Sequence, residues 1–300
     1  MPFDPDILSS LYNPLVTVSQ LTTSSSSLDN IPAELENSMR YAGQKLIQAA
    51  GILLRLPQDT IVKAIITFTR YYVGSEGGSF AEGEFKDVSA AALYMIAKIS
   101  FEPQSPRSVL NVYAYLLSSL SPLTNPHSSK GSMVKPDPEV YYLSEGAYLS
   151  ARTTLLATEA LMLRTISFTT HVTLPHPLAL TYLQTLSALP SPPTPSSKSL
   201  AARTLAHLNS ALFSPQLLYL THQPNALAVA AIYLAAREVG VRLTMGEWWE
   251  VFDVGREELG FLVVGLGSLE GWVRQESQKW GDKGCAMSWK EVQKQPRREE

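Results

Sequence analysis

Cysteine is nearly absent. Cys285 is the single cysteine in 300 residues, so no intrachain disulfide forms and no thiolate zinc cluster can be assembled. That usage predicts a reducing compartment. Charge is also scarce: charged residues make up 17% of the chain, against about 25% in an ordinary globular protein. The two signs nearly cancel, with 24 Lys and Arg, 27 Asp and Glu, and a net charge of −3. No basic excess exists to neutralise phosphates, so direct nucleic-acid binding is not expected. Apolar residues at 45% exclude a highly charged, disordered solvating chain. The first basic residue is Arg40, which fits neither a secretory leader nor an Arg-rich transit peptide. The longest apolar run, Ala226 to Ala236, falls short of the roughly 18 residues that suggest a membrane span. These absences predict a soluble intracellular protein with no membrane partner. Low charge beside normal apolar content leaves apolar surface for a partner to cover.

Catalytic signatures are missing too. The glycines from Gly74 to Gly83 lack the Gly-Lys-Ser/Thr ending of a phosphate-binding loop. Gly265, Gly267 and Gly271 do not match a dinucleotide fingerprint, and there is no Gly-x-Ser-x-Gly elbow or His-Glu-x-x-His helix. His127, His171, His176, His207 and His222 do not pair at ligand spacing on a helix. Cys285 stands in a polar tail and reads as an inert thiol. No catalytic residue, metal site or cofactor is expected, and the chain is not read as an enzyme.

What is present is helical periodicity. Ala42, Leu46, Ala49, Leu53 and Leu56 step by four and three, and Pro57 ends that stripe. Ile61, Ile65, Phe68 and Tyr72 form a second stripe, and Val88, Ala92, Met95 and Ile99 a third. A fourth helix is predicted from Arg107 to Leu120. A fifth runs from about Tyr142 to Ile166, with Leu149, Leu156, Ala160 and Leu163 in register. Further helices are predicted near 175–189, 200–213, 225–239, 245–252 and 257–276. No stretch alternates with period two for long enough to demand a sheet, so the fold class is all-α.

One segment repeats. Ala91 to Lys98 reads AALYMIAK and Ala230 to Arg237 reads AAIYLAAR. The offset suits a duplicated helical domain better than a solenoid. Small residues on both faces place this helix at the centre of each bundle. The domain reading is a flexible N-terminal arm over 1–36 and a first bundle over 37–170 with a loop insertion at 121–140. A second bundle follows over 171–276, then a polar tail over 277–300. Trp248 and Trp249 are assigned to packing of the second bundle. Ser105, Ser121, Ser191, Thr194 and Ser214 each precede proline.

Several segments in order resemble the cyclin family, most closely cyclin L, with cyclin K and cyclin Q as rivals. Leu46 to Gln58 (LIQAAGILLRLPQ) resembles the start of a cyclin box. Phe68 to Tyr72 resembles the end of its second helix, Ala97-Lys98 the end of its third, and Arg107 to Tyr113 its fourth. Glu159 with the following LMLRTISF, His171-Val172 and Pro175-His176 resembles the fifth helix and the crossing into a second box. Gln223-Pro224, Ala230 to Arg237, Trp249 to Phe252 and Glu257-Glu258 match within that second box.

The resemblance implies two tandem five-helix cyclin boxes. It also implies a nuclear regulatory subunit that forms a heterodimer with a cyclin-dependent Ser/Thr kinase and activates it. The field of action would be RNA polymerase II transcription and/or pre-mRNA processing. Lys98 and Glu159 would be the kinase-binding residues. The alternatives are a cyclin-fold adaptor that activates no kinase and a nucleic-acid-binding cyclin-fold transcription factor. The sequence departs from the family at Ser100 and Phe101, where an acidic pair is usual, and at Ser108 and Ser210, where Asp is frequent. Its end, near Lys294, Arg297 and Arg298, carries no Arg/Ser-rich region.

Overall fold

A computed structural model of the chain describes residues 12–118, 121, 142–190, 192, 194–243 and 246–279. Among the described residues there is helix and no strand. The residues divide into two compact units. The N-terminal unit takes residues 17–170 and the chain from Arg274; the C-terminal unit takes 171–273 and the segment ending at Val16.

The N-terminal unit contains α1 (Ala33–Leu53), α2 (Gln58–Tyr71), α3 (Phe85–Lys98), α4 (Pro106–Leu117) and α5 (Glu145–Thr165). Helix α3 lies at the centre and packs on α1, α2, α4 and α5. Its Ala91, Ala92, Leu93 and Ala97 are wholly buried, because a helix enclosed by four neighbours has room for small side chains on every side. Helices α1 and α2 approach closely through two glycines. A methyl group on Gly43 would stand 2.3 Å from Phe68 Cζ, and one on Gly51 would stand 2.5 Å from Ile61 Cγ1. The predicted stripe of α2 forms the core opposite: Ile61, Ile65, Phe68 and Tyr72 are all buried. Tyr72 stacks on Phe80 at 3.7 Å between ring centroids. Arg40 of α1 is buried as well and pairs with Glu36 one turn away. Burial pulls the Arg40 guanidinium below its usual pKa, against the opposing pull of Glu36.

The C-terminal unit contains α6 (Pro175–Thr185), α7 (Pro195–Ala211), α8 (Pro224–Val239), a 3-10 turn (Trp248–Phe252) and α9 (Arg256–Lys279). The last residues of α9, from Arg274, group with the N-terminal unit. Helix α8 is the counterpart of α3. It packs on α6, α7, the 3-10 turn and the short helix Leu218–Thr221. Its Ala228, Ala230, Ala231 and Ala235 are wholly buried. The two copies of the repeated segment thus lie in equivalent central helices. Trp248 is buried among aromatic rings, edge-on to Trp249 and Phe252.

The arm predicted over 1–36 needs correction from residue 12 onward; residues 1–11 lie outside the described set. The serine run is bonded rather than loose. Ser24 caps the helical turn Ser25–Leu28 and donates from Oγ to Glu36 Oε2 at 3.1 Å. Ser25 Oγ donates to the Gly77 carbonyl at 2.7 Å. Buried Ser26 Oγ accepts the Phe80 N–H at 3.1 Å. Upstream, Asn13 is held in the C-terminal unit. Its side chain exchanges hydrogen bonds with the Thr173 backbone at 2.8 and 2.9 Å, and its backbone does the same with the Gln223 amide at 3.0 and 3.1 Å. Serine and asparagine satisfy backbone groups of loops as readily as they solvate a free chain. Composition alone therefore misreads this segment as disordered.

Helix α4 ends at Leu117, short of the predicted Leu120, with Ser118 at its C-terminus. The 121–140 insertion lies outside the described residues except for Ser121, which is buried. The tail from 280, with Cys285, is outside them too, while 277–279 belong to α9. His127 and the predicted start of a helix at Met245 also lie outside. Residues 248–252, predicted as α-helix, form a 3-10 turn.

Candidate partner-binding site

Lys98 is the last residue of α3, where the helix C-terminus favours a cation. Glu159 lies in the middle of α5, which Ser144 caps by accepting the Ala147 N–H at 3.3 Å. The packing of α3 on α5 brings the two together: Lys98 Nζ forms an ion pair with Glu159 Oε1. Their burial is unequal, with the Lys98 side chain 39% exposed and that of Glu159 only 7%.

This inequality sets the chemistry. A buried carboxylate is costly unless a cation meets it, so Glu159 depends on Lys98. Lys98 reaches water without help. An ammonium carries three donors, and its charge pairs with that of Glu159. The arrangement sets a partly exposed cation on a buried carboxylate. Tyr94, one turn before Lys98, supports it from below with its ring centroid 5.6 Å from Nζ. Tyr94 was not singled out from the sequence, although its place in the repeated segment four residues before Lys98 is the signal that marks it.

Exposed apolar side chains surround the pair among the described residues. The register predicted for α5 is wrong in an informative way. Its buried residues are Leu155, Glu159 and Met162. Of the predicted stripe, Leu149 is 51% exposed, Ala160 is exposed, and Leu156 and Leu163 are only partly buried. Leu161 is exposed as well. Helix α5 carries apolar residues on more than one face, and among the described helices α3 and α4 are its main neighbours. Beyond Lys98, Ile99 and Phe101 stand in water, Phe101 fully so. The loop is kept in place by Ser100 Oγ, which donates to the Ala97 carbonyl at 2.8 Å and accepts the Glu102 N–H at 3.3 Å.

Other sequence candidates fall elsewhere. His171 Nε2 is 3.3 Å from Thr173 Oγ1, and His176, in the first turn of α6, has Nε2 3.0 Å from Asn209 Oδ1. Burial holds His176 below the usual histidine pKa, with the Asn209 bond opposing. Among the described residues no three His, Cys, Asp or Glu side chains gather to hold a metal ion, and no described helix is long and apolar enough to cross a membrane.

No family model matches the chain. Its fold is similar to solved structures. It superposes on a chain in the crystal structure of the yeast RNA Pol II CTD kinase CTDK-1 complex with a TM-score of 0.63 and 12% identity, covering 85% of this chain and 72% of that one. A chain of the Chaetomium thermophilum CAK complex bound to ATP-gamma-S gives a TM-score of 0.56 and 16% identity, over 97% and 88%. Two helical bundles, each built around a central Ala-rich helix, are the cyclin fold.

Within that class, the curated homologues are cyclin L proteins. The Caenorhabditis elegans cyclin L homolog cyl-1 is 30% identical over 262 residues, covering 84% of this chain and 51% of the relative. Cyclin-L1 of Danio rerio is 27% identical over 91% of this chain and 50% of its own length, and human cyclin-L1 is 28% identical over 82% and 42%. The chain spans about half the length of the curated relatives it matches.

Proposed function

We propose that the chain is a cyclin L-like regulatory subunit, not itself an enzyme, that binds and activates a cyclin-dependent Ser/Thr kinase. The observation that carries this reading is the set of exposed apolar residues on α5 and at the α3 terminus around the Lys98–Glu159 pair. Such a surface fits a protein partner: apolar residues supply the area, and a partly exposed ion pair anchored on a buried carboxylate supplies register. The homology to cyclin L proteins supports the kinase as that partner. The likeness to a chain from an RNA Pol II CTD kinase complex supports action in RNA polymerase II transcription and/or pre-mRNA processing, and hence in the nucleus.

Kinase catalysis needs a Lys–Glu pair between a strand and the mobile αC helix, with magnesium ligands in place. A subunit that binds only the inward αC state shifts the population by its differential affinity. Lys98 and Glu159 would hydrogen-bond the kinase in that state, contributing binding energy rather than chemistry. The first cyclin box would occupy residues 37–170 and the second 171–276.

The test is co-purification and activation of the kinase with Lys98→Ala and Glu159→Ala. Each substitution is expected to weaken both by roughly 30-fold or more, since truncating one member of a charge pair that an interface buries costs about 2–5 kcal/mol. Unchanged activation removes the residue assignment, and isolation without any kinase removes the functional reading. A cyclin-fold adaptor is the second reading, favoured by Ser100 and Phe101 in place of the family's acidic pair. Stable non-kinase partners with no stimulated phosphorylation would select it.

A further inference from the structure

Five Ser/Thr-Pro dipeptides occur in the sequence, and the fold sorts them. Ser121 and Ser214 are buried, and Ser214 Oγ donates to Gln216 Oε1 at 2.6 Å. Neither hydroxyl is open to a modifying enzyme. Ser191 lies outside the described residues. Thr194 and Ser105 are exposed. Ser105 closes the loop between α3 and α4, with backbone angles of φ −76° and ψ 151°. That extended geometry is what the following proline enforces on it. The residue after Pro106 is Arg107, whose guanidinium lies 4.0 Å from the centroid of the Tyr148 ring and donates from Nη2 to Glu145 Oε2 at 2.8 Å.

We propose that Ser105 is a phosphorylation site for a proline-directed Ser/Thr kinase, with Arg107 as the side chain that takes the added phosphate. The substrate segment is the exposed, extended Ser105-Pro106-Arg107. Its cap is light: Ser105 Oγ accepts the Ser108 N–H at 3.1 Å and meets Ser108 Oγ at 2.9 Å. In the reaction the γ-phosphoryl group of ATP passes to Ser105 Oγ. The Oγ–P bond forms, the bond from that phosphorus to the β-phosphate oxygen breaks, ADP leaves, and the hydroxyl proton is released to solvent. The product carries about −1.5 to −2 charges at pH 7 at the start of α4, where the helix terminus favours an anion. Glu145 then competes with a doubly charged group on the guanidinium's own helix. Arg107 turns from Glu145 to the phosphate, which releases a surface tie between α4 and α5. This inference does not depend on the chain having a kinase as its partner.

The test incubates the full chain with a purified proline-directed Ser/Thr kinase and ATP, and maps phosphate by mass spectrometry. A synthetic peptide of residues 99–111 serves as the unfolded control. Phosphate at Ser105 in the folded chain, lost in Ser105→Ala, with none at Ser121 or Ser214, is the expected result. Absence of phosphate at Ser105 in the folded chain overturns the proposal, whether or not the peptide reacts. The role of Arg107 is read by 31P NMR titration of the phosphoserine. Its second ionisation should fall at lower pH in the wild type than in Arg107→Ala, by roughly 0.2–0.7 pH units, the worth of an exposed ion pair. Equal midpoints overturn the Arg107 assignment.

Discussion

Arg40 and Arg203 each hold a glutamate, the first inside the N-terminal unit and the second on the surface of the C-terminal one. Arg40 and Glu36 are both buried; Arg40 Nη1 donates to Asn37 Oδ1 and Glu36 Oε2 accepts from Ser24 Oγ, while Arg40 Nε has no hydrogen-bond partner among the described residues. Arg203 Nε donates to Glu238 Oε2 at 2.7 Å while both side chains stay well exposed, and His207 Nε2 approaches Glu238 Oε1 at 3.1 Å. The end of each central helix shows the same contrast. Lys98 of α3 reaches a buried acid on α5. Its counterpart in the repeat, Arg237 of α8, is exposed, and the acid of that helix is the next residue, Glu238. The repeated tyrosines diverge as well: Tyr94 lies under Lys98, whereas Tyr233 meets Trp249 edge-on at 6.3 Å. The shared scaffold is apolar. The polar groups at the two helix ends differ: a buried carboxylate meets Lys98, while Arg237 stands exposed.

The largest effect that sharpens this contrast is expected for Arg40→Ala. It strands Glu36 in the interior and should cost about 3–5 kcal/mol in denaturant unfolding. Arg203→Ala should cost under about 1 kcal/mol, because both partners return to water; equal losses would break the comparison. Next come Ala91→Leu and Ala230→Leu, which probe what the two units share. Both positions are wholly buried, and each substitution should cost about 1–3 kcal/mol by overpacking. A large loss at one site beside none at the other would show that the central helices are not equivalent.

The smallest effect concerns pH. Burial alone would push Glu238 upward, but the hydrogen bond from Arg203, aided by His207, holds its pKa below the ordinary glutamate value of 4.5. A carboxylate lowered in the fold contributes stability that is present above 4.5 and is lost as pH falls through its lowered pKa. In Arg203→Ala, NMR titration of Glu238 should move up toward 4.5. An unmoved midpoint would mean that Arg203 does not hold it.

Much of this was legible in residue order. Ile61, Ile65, Phe68 and Tyr72 form the core face that their spacing predicts. The AALYMIAK and AAIYLAAR segments do form the two central helices. Lys98 and Glu159 came from resemblance, and the fold brings them together as an ion pair. Other features were not legible. The run Ser24 to Ser27 reads as loose chain, yet its hydroxyls satisfy Glu36, the Gly77 carbonyl and the Phe80 N–H. Such bonds depend on partners some 12 to 54 positions away, which no local pattern carries. Asn13, whose bonds reach Thr173 and Gln223, is the extreme case.

The sequence by itself determined the all-α class, the positions of the main helices and the pairing of two alike central segments. Apolar spacing and proline punctuation act within a few residues and need no partner to be read. Tertiary structure alone decided which face of α5 is inside. That helix has apolar residues at Leu149, Leu155, Leu156, Leu161 and Met162, so periodicity permits more than one buried side. In the fold α3 and α4 pack on α5, Leu155 and Met162 are buried, and Leu149 and Leu161 stay in water. Burial is a property of what stands opposite, and the residues standing opposite are fixed only when the chain is folded.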